Sequence, residues 1–189
     1  MKTKIIVCII VTLLFTTAIP IIGTAEESKN KTINDRSIIT VNNYNGDFLD
    51  QQQNSTCNWG WNIHKNQWVA QGFIPSVNIL TRVQLYLFKA GNPPEDAEIV
   101  FSIKENLTGA DLTSITLKSD KLPTGTESKW VEFDFEDINV TPNYLYYMVC
   151  KGTTGDAKNC YCWLYNYINP YENGEAWLTY DYGQTWIKA

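Results

Sequence analysis

The chain has 189 residues, a formal charge of −5, and 44% hydrophobic and 13% aromatic residues. That composition excludes intrinsic disorder, and with Arg36 and Arg82 the only arginines little is left to neutralise phosphates, so no nucleic-acid partner is expected. The length suits one domain with a full core and rules out two large ones.

Lys2 and Lys4 precede an apolar run over residues 5–22, which ends at Gly23-Thr24-Ala25. A positive start, an apolar stretch and small residues at a cleavage point predict an export signal over residues 1–25, cut after Ala25. Its loss removes two lysines and no acid, which takes the charge from −5 to −7. Pro20 weakens the last turn of a run already short for a bilayer, so a membrane enters only through an uncleaved signal. The expected location is secreted or cell-surface. Residues 26–42 are polar and charged and read as a flexible lead-in, and the domain occupies 43–189.

Within the domain, short runs alternate with a period of two. Val83, Leu85 and Leu87 share one face of a run, as do Ile99, Phe101 and Ile103. Val131, Phe133 and Phe135 alternate with Trp130, Glu132, Asp134 and Glu136. That period marks half-buried strands. Further strands are predicted at 68–74, 114–118, 144–150, 161–166, 175–179 and 185–188. Turn residues separate them at Gly91-Asn92-Pro93-Pro94, Pro123-Thr124-Gly125, Thr141-Pro142-Asn143, 152–155 and 169–174. No segment holds a helical period. Eight or nine such strands predict an all-β, antiparallel β-sandwich, jelly-roll-like because strand partners lie far apart in sequence. No internal repeat is visible, which excludes a solenoid or propeller.

Cys57, Cys150, Cys160 and Cys162 remain after cleavage, and four cysteines outside the cell suggest two disulfides. Cys160 and Cys162 share a strand face, where a bond between them would be strained. That leaves Cys150 with one of them and Cys57 with the other. Free thiols are the alternative. No Cys-x-x-Cys or histidine spacing supports zinc, so no metal is expected. Glu132, Asp134 and Asp137 offer oxygen ligands for Ca²⁺, but no loop spacing singles them out, and no cofactor is expected. Asn30, Asn54, Asn106 and Asn139 each head an Asn-x-Ser/Thr acceptor, as fits a glycoprotein exposed outside the cell, although Pro142 weakens the last.

Thr179-Tyr180-Asp181-Tyr182-Gly183-Gln184-Thr185-Trp186 resembles an Asp-box hairpin. Asp181 is expected to accept backbone N–H bonds inside the turn, Gly183 to take a positive φ, Thr185 to complete the motif and Trp186 to pack beneath it. In sialidases and other propellers the box is structural, and one copy in a non-repeating chain does not imply a sialidase. The aromatics are more suggestive. Trp59 and Trp61 flank Gly60, and Tyr161, Trp163, Tyr165 and Tyr167 share one face of their run. Rings beside amides and carboxylates stack on sugar C–H patches, so Trp59, Trp61, Trp163, Tyr165, Tyr167 and Tyr171 are the candidate binding surface. Core packing is the competing reading, since large rings fill sandwiches well. Catalysis has little support. His64 is the only histidine and reads as a surface or cap residue. No nucleophile elbow is present, and the acid pairs at Glu95 and Asp96 and at 132–137 read as solvated faces. No catalytic residue is assigned.

One set of motifs resembles a family as a whole. Trp68-Val69-Ala70-Gln71-Gly72-Phe73-Ile74-Pro75 is followed by Leu80-Thr81-Arg82-Val83-Gln84-Leu85-Tyr86-Leu87 and Leu112-Thr113-Ser114. Trp130-Val131-Glu132-Phe133-Asp134-Phe135, Val140-Thr141-Pro142, Asn169-Pro170-Tyr171 and Gly174-Glu175-Ala176-Trp177 follow. This order resembles an uncharacterised secreted β-sandwich module of archaeal and bacterial surface proteins, over about residues 57–186. The usual pattern reads A-Q-S-F-x-P, W-V-x-F-D-F and D-A-W. Gly72 stands where Ser is common, and such modules usually run on into one more strand, which leaves closure of a sheet edge open. The resemblance implies a jelly roll similar to carbohydrate-binding modules and transfers no active residue. The expected function is a secreted or surface-attached, non-catalytic module binding a glycan or other surface polymer. A structural adhesion or envelope protein making protein contacts is the first alternative, and a glycoside hydrolase the second.

Overall fold

The computed structural model describes residues 2–8, 47–55, 59–168 and 171–189. The rest of the expected export signal, the expected lead-in with its Asn30 acceptor, Cys57 and Asn169-Pro170 lie outside the described residues. Sheet 1 contains β1 (Lys2–Cys8), β2 (Asp47–Asn54), β3 (Trp59–Ile63), β5 (Ile79–Ala90), β8 (Lys129–Asn139) and β10 (Cys160–Tyr165). Sheet 2 runs in the order β12 (Ile187–Lys188), β11 (Ala176–Thr179), β4 (Trp68–Phe73), β9 (Tyr146–Gly152), β6 (Ile99–Lys104) and β7 (Asp111–Leu117). A single 3-10 turn at Ser119–Lys121 is the one helical element among the described residues. The two sheets pack into the expected antiparallel, jelly-roll-like sandwich. All nine strands read from the sequence are present, and β1, β2 and β3 are additions.

β5 organises sheet 1. β8 pairs along one of its edges from Ile79 to Leu87. Its other edge is shared: β1 takes Arg82 to Gln84 and β10 takes Leu87 to Ala90. β2 lies beyond β1, and β3 lies beyond β10. Both pairings of β1 are parallel, and every other strand pairing is antiparallel.

The alternation explains the core. Val83, Leu85 and Leu87 of β5 and Ile99, Phe101 and Ile103 of β6 are fully buried. Phe101 stacks on Phe133 at 4.8 Å and Phe135 at 5.9 Å, joining β6 of one sheet to β8 of the other. Such ring pairs contribute about 0.5–1.5 kcal/mol each beyond the area they bury. On the outer face of the same strands, Trp130 packs on Tyr86 at 4.9 Å, and the Glu132 carboxylate accepts from Gln84 Nε2 at 2.7 Å and Arg82 Nη1 at 3.3 Å. In sheet 2, Asp111 bridges Lys104 at 2.9 Å and Lys151 at 3.2 Å, tying β7 to β6 and β9.

The cysteine expectation needs correction. Cys150, Cys160 and Cys162 are free thiols. Cys150 of β9 sits in the core between the sheets. Cys160 and Cys162 belong to the opposite face of β10 from the core residues Tyr161 and Trp163. A bridge from Cys150 to either would have to pass through sheet 1, so that pairing does not form.

Candidate functional site

The aromatic residues come together along β3 and β10. Their antiparallel register sets Trp59 against Tyr165, Trp61 against Trp163 and Ile63 against Tyr161. Gly60 is required between the two tryptophans: a Cβ there would lie 2.6 Å from the Phe88 ring and 2.9 Å from Cys162 Cβ. Phe88 thus closes over the outer face of β10. That cover explains why Cys162 is buried despite facing away from the core, and Cys160 on the same face is buried as well.

Trp163 and Tyr165 share the inner face of β10, which rises from the core to solvent, whereas Tyr167, expected on the same face, lies in a turn beyond the end of the strand. Trp163 is 3% exposed and belongs to the core. Trp61 and Tyr165 stack at 4.6 Å with 23° between their planes, and both are half-buried. Trp59 is 69% exposed and Tyr167 76%. Tyr171 is buried, donates to Gln51 Oε1 at 3.1 Å, and has its phenol pushed up to about 12 by burial. Of the six candidates, then, Trp59 and Tyr167 are open to a ligand. Trp61 and Tyr165 are half-buried, whereas Trp163 and Tyr171 are packing residues and are withdrawn from the surface. The cavity beneath the stacked pair, walled by Trp61, Trp163, Tyr165, Val69 and Gln71, measures about 20 Å³. That is room for one water and no more.

A larger concavity lies near the start of β10, and the sequence reading missed it. Lys89, Pro93, Pro94, Glu95, Asp120 and Pro123 line a groove of about 490 Å³, with Tyr161 among its walls. Its size falls in the range of small-molecule sites. Pro93-Pro94 and Pro123 had read only as turns, because loops far apart in sequence become neighbours there. Tyr165, which lies opposite Trp59, is four positions beyond Tyr161 in β10, so the groove and the Trp59 end of the strand pair are roughly 13 Å apart along the strand.

The Asp-box folds as its residues dictate. Asp181 Oδ1 accepts from Thr185 N at 2.9 Å, Gln184 N at 3.0 Å and Thr179 Oγ at 2.7 Å, while Oδ2 accepts from the Thr185 hydroxyl at 2.6 Å. These bonds, led by the Thr185 hydroxyl, hold the Asp181 carboxyl down at about 2. Gly183 takes φ +83°, and a Cβ there would sit 2.4 Å from the Trp68 ring. Trp68 is therefore the ring packed against the turn glycine, while Trp186 is half-buried. All of this serves the hairpin.

His64 is buried at the β3–β4 turn rather than at the surface, and neither ring nitrogen has a hydrogen-bond partner among the described residues. Asp134 reaches the Arg82 guanidinium at 3.9 Å, so two of the three proposed Ca²⁺ ligands, Glu132 and Asp134, face a cation of the chain itself. Among the described residues no three His, Cys, Asp or Glu side chains converge as a metal set. Cys160 and Cys162 lie with sulfurs 3.9 Å apart, and Cys162 Sγ is 3.3 Å from Asn62 Oδ1. Their mutual contact lowers the Cys160 thiol and raises that of Cys162. The described glycosylation acceptors Asn54, Asn106 and Asn139 are all exposed. No protein-family model matches the chain, and no curated protein matches it.

Proposed function

We propose that this protein is a secreted or cell-surface, non-catalytic binding module for a glycan or another surface polymer, released from its export signal after Ala25. The observation that carries the reading is the aromatic step at the β3–β10 edge, where Trp59 and Tyr167 stand exposed beside the stacked Trp61–Tyr165 pair. An exposed ring held by a strand pair, as Trp59 is, offers a flat face to sugar C–H groups at little cost in ordering, and Tyr167 follows β10 in a turn. The exposed acceptors Asn54, Asn106 and Asn139 support a location outside the cell. The motif order that resembles the surface-protein sandwich module supports the same reading.

The test is a glycan array probed with residues 26–189. Saturable binding to one glycan class is expected, and Trp59→Ala or Tyr167→Ala should each abolish it while the domain stays folded at the assay temperature. A well-folded protein that binds nothing on the array would overturn the glycan reading in favour of protein contacts. Binding lost on Glu95→Gln but kept in both ring variants would move the site to the proline-walled groove.

A further inference from the structure

We infer that Cys160 and Cys162 form a chelating dithiolate site for a soft cation of low coordination number, copper(I), on the outer face of β10. The two residues are two positions apart on one strand, so their side chains leave the same face. Their sulfurs stand 3.9 Å apart. Both residues are buried, although the outer face of an antiparallel sheet is commonly wet. Neighbouring elements build the enclosure. Phe88 of β5 lies opposite Cys162 on one side, and Asn62 of β3 lies opposite it on the other. Ala90 lies opposite Cys160. Asn62 Nδ2 donates to Ala157 O at 3.0 Å, which ties the loop before β10 to β3 and leaves Asn62 Oδ1 toward Cys162 Sγ at 3.3 Å.

The spacing suits a shared ion better than a bond. A disulfide would have to draw the sulfurs in from 3.9 Å to about 2.05 Å, on Cα atoms about 6.6 Å apart, at the far end of the range that disulfides span. An ion held by metal–thiolate bonds of about 2.3 Å, the length found for zinc, fits between the sulfurs as they stand, with an angle of roughly 116°. Opening the sulfurs to about 4.6 Å makes the arrangement linear, and the Cα spacing allows that by rotation of the two side chains alone.

Ligand number selects the metal. Structural zinc takes four donors, and among the described residues no third His, Cys, Asp or Glu joins the pair. Copper(I) is soft, favours thiolate, and is satisfied by two or three donors. Asn62 Oδ1 offers a third, weaker one. Binding exchanges both thiol protons for one copper(I): two S–H bonds break, two Cu–S bonds form, two protons leave, and no oxidation state changes. A bare ion needs less room than an alkylating reagent. Phe88 is half-buried and is the ring that swings aside to admit it.

The test uses the full chain, reduced and under argon, with copper(I) alone as the probe and a chromogenic copper(I) chelator as competitor. The Cys8→Ala/Cys57→Ala variant leaves Cys150 as the only other thiol, and Cys150 sits between the sheets, on the far side of sheet 1. That variant should hold one copper per chain, gain in native mass spectrometry the mass of one copper less two protons, and show two sulfur neighbours by X-ray absorption. Adding Cys160→Ser or Cys162→Ser to it should weaken binding by about 100-fold or more, while protected β6 amides in hydrogen exchange show that the fold persists. Copper held equally well after both serine changes would overturn the assignment, as would a folded Cys8→Ala/Cys57→Ala variant that holds none. Zinc displacing copper from the pair at equal concentration would overturn the choice of metal. A chain lighter by two hydrogens that binds no copper would mean a Cys160–Cys162 disulfide and would equally overturn the site. The sulfur count does not depend on the serine variants folding: two sulfur neighbours support the pair, and one or none overturns it.

Discussion

Replacing Trp163 by Ala separates the two readings of the β10 aromatics most sharply. Trp163 is 3% exposed, within a core that also holds Ile63, Val69 and Tyr161. A tryptophan buries roughly 200 Å², worth about 5 kcal/mol at 25 cal/mol per Å². Large-to-small changes of this kind cost about 3–5 kcal/mol, with the spread set by how far the site collapses. Collapse is limited here, because Trp163 is held in register between Trp61 and Leu87 by β3 and β5. At about 2–4 °C per kcal/mol for a domain of this size, the melting temperature should fall by roughly 6–20 °C. Trp59, 69% exposed, is the matched control. Its Ala variant gives up a third of that buried area at most, about 1.5 kcal/mol, and should melt within roughly 6 °C of the parent. Differential scanning calorimetry of the two variants at neutral pH measures both. Trp163→Ala melting within roughly 2 °C of the parent, or Trp59→Ala melting below Trp163→Ala, would refute the assignment of this face to the interior.

Two further outcomes follow from individual groups. Asp181 has its folded-state carboxyl held at about 2, below its ordinary value of 3.8, so the stability it contributes is present above the ordinary carboxylate range and is lost as pH falls toward 2. Asp181→Asn should therefore lower the melting temperature at pH 6, and the difference from the parent should shrink steadily between about pH 4 and 2. A difference that stays constant over that interval would show that the charged form is not favoured in the hairpin. The Cys160–Cys162 pair should resist alkylation in the native state, since both thiols are buried, and should label once denaturant opens the sheet. Rapid labelling of native Cys162, mapped by peptide mass, would contradict the Phe88 cover, and rapid labelling of Cys160 would contradict its burial.

The legible parts of the fold were the strands whose apolar residues alternate with polar ones. β5, β6 and β8 show their period directly because apolar residues alternate with Arg82, Gln84, Ser102, Glu132 and Asp134. β2 was hidden by its composition: Asp50-Gln51-Gln52-Gln53-Asn54 reads as loop, yet side-chain bonds to Ser76 and Tyr171 hold it as an outer strand. β3 was hidden by Gly60, whose role appears only once Phe88 is seen folded over it. For β10 the alternation placed Tyr161, Trp163 and Tyr165 correctly on one face. It gave no sign of which face was inner, because Cys160, Cys162 and Leu164 opposite are buried as well. The same ambiguity misled the cysteine pairing, since parity along one strand says nothing about the sheet on which Cys150 points. The groove was beyond reach for a different reason: its walls come from three separate stretches that no local pattern links.

The order in which the chain visits its sheets has a consequence for how the molecule is made. From β3 to β6 each successive strand changes sheet, and among the strands read from the sequence only β6–β7 and β11–β12 are consecutive along the chain and paired by hydrogen bonds. β5 finds β8 only when Lys129 has been made, and β10 only at Trp163. Loops of that length must close before any core contact rewards them, so collapse is late and slow. A chain built this way stays extended while it is being synthesised or threaded through a narrow passage, and commits to its shape only after nearly its last residue has arrived.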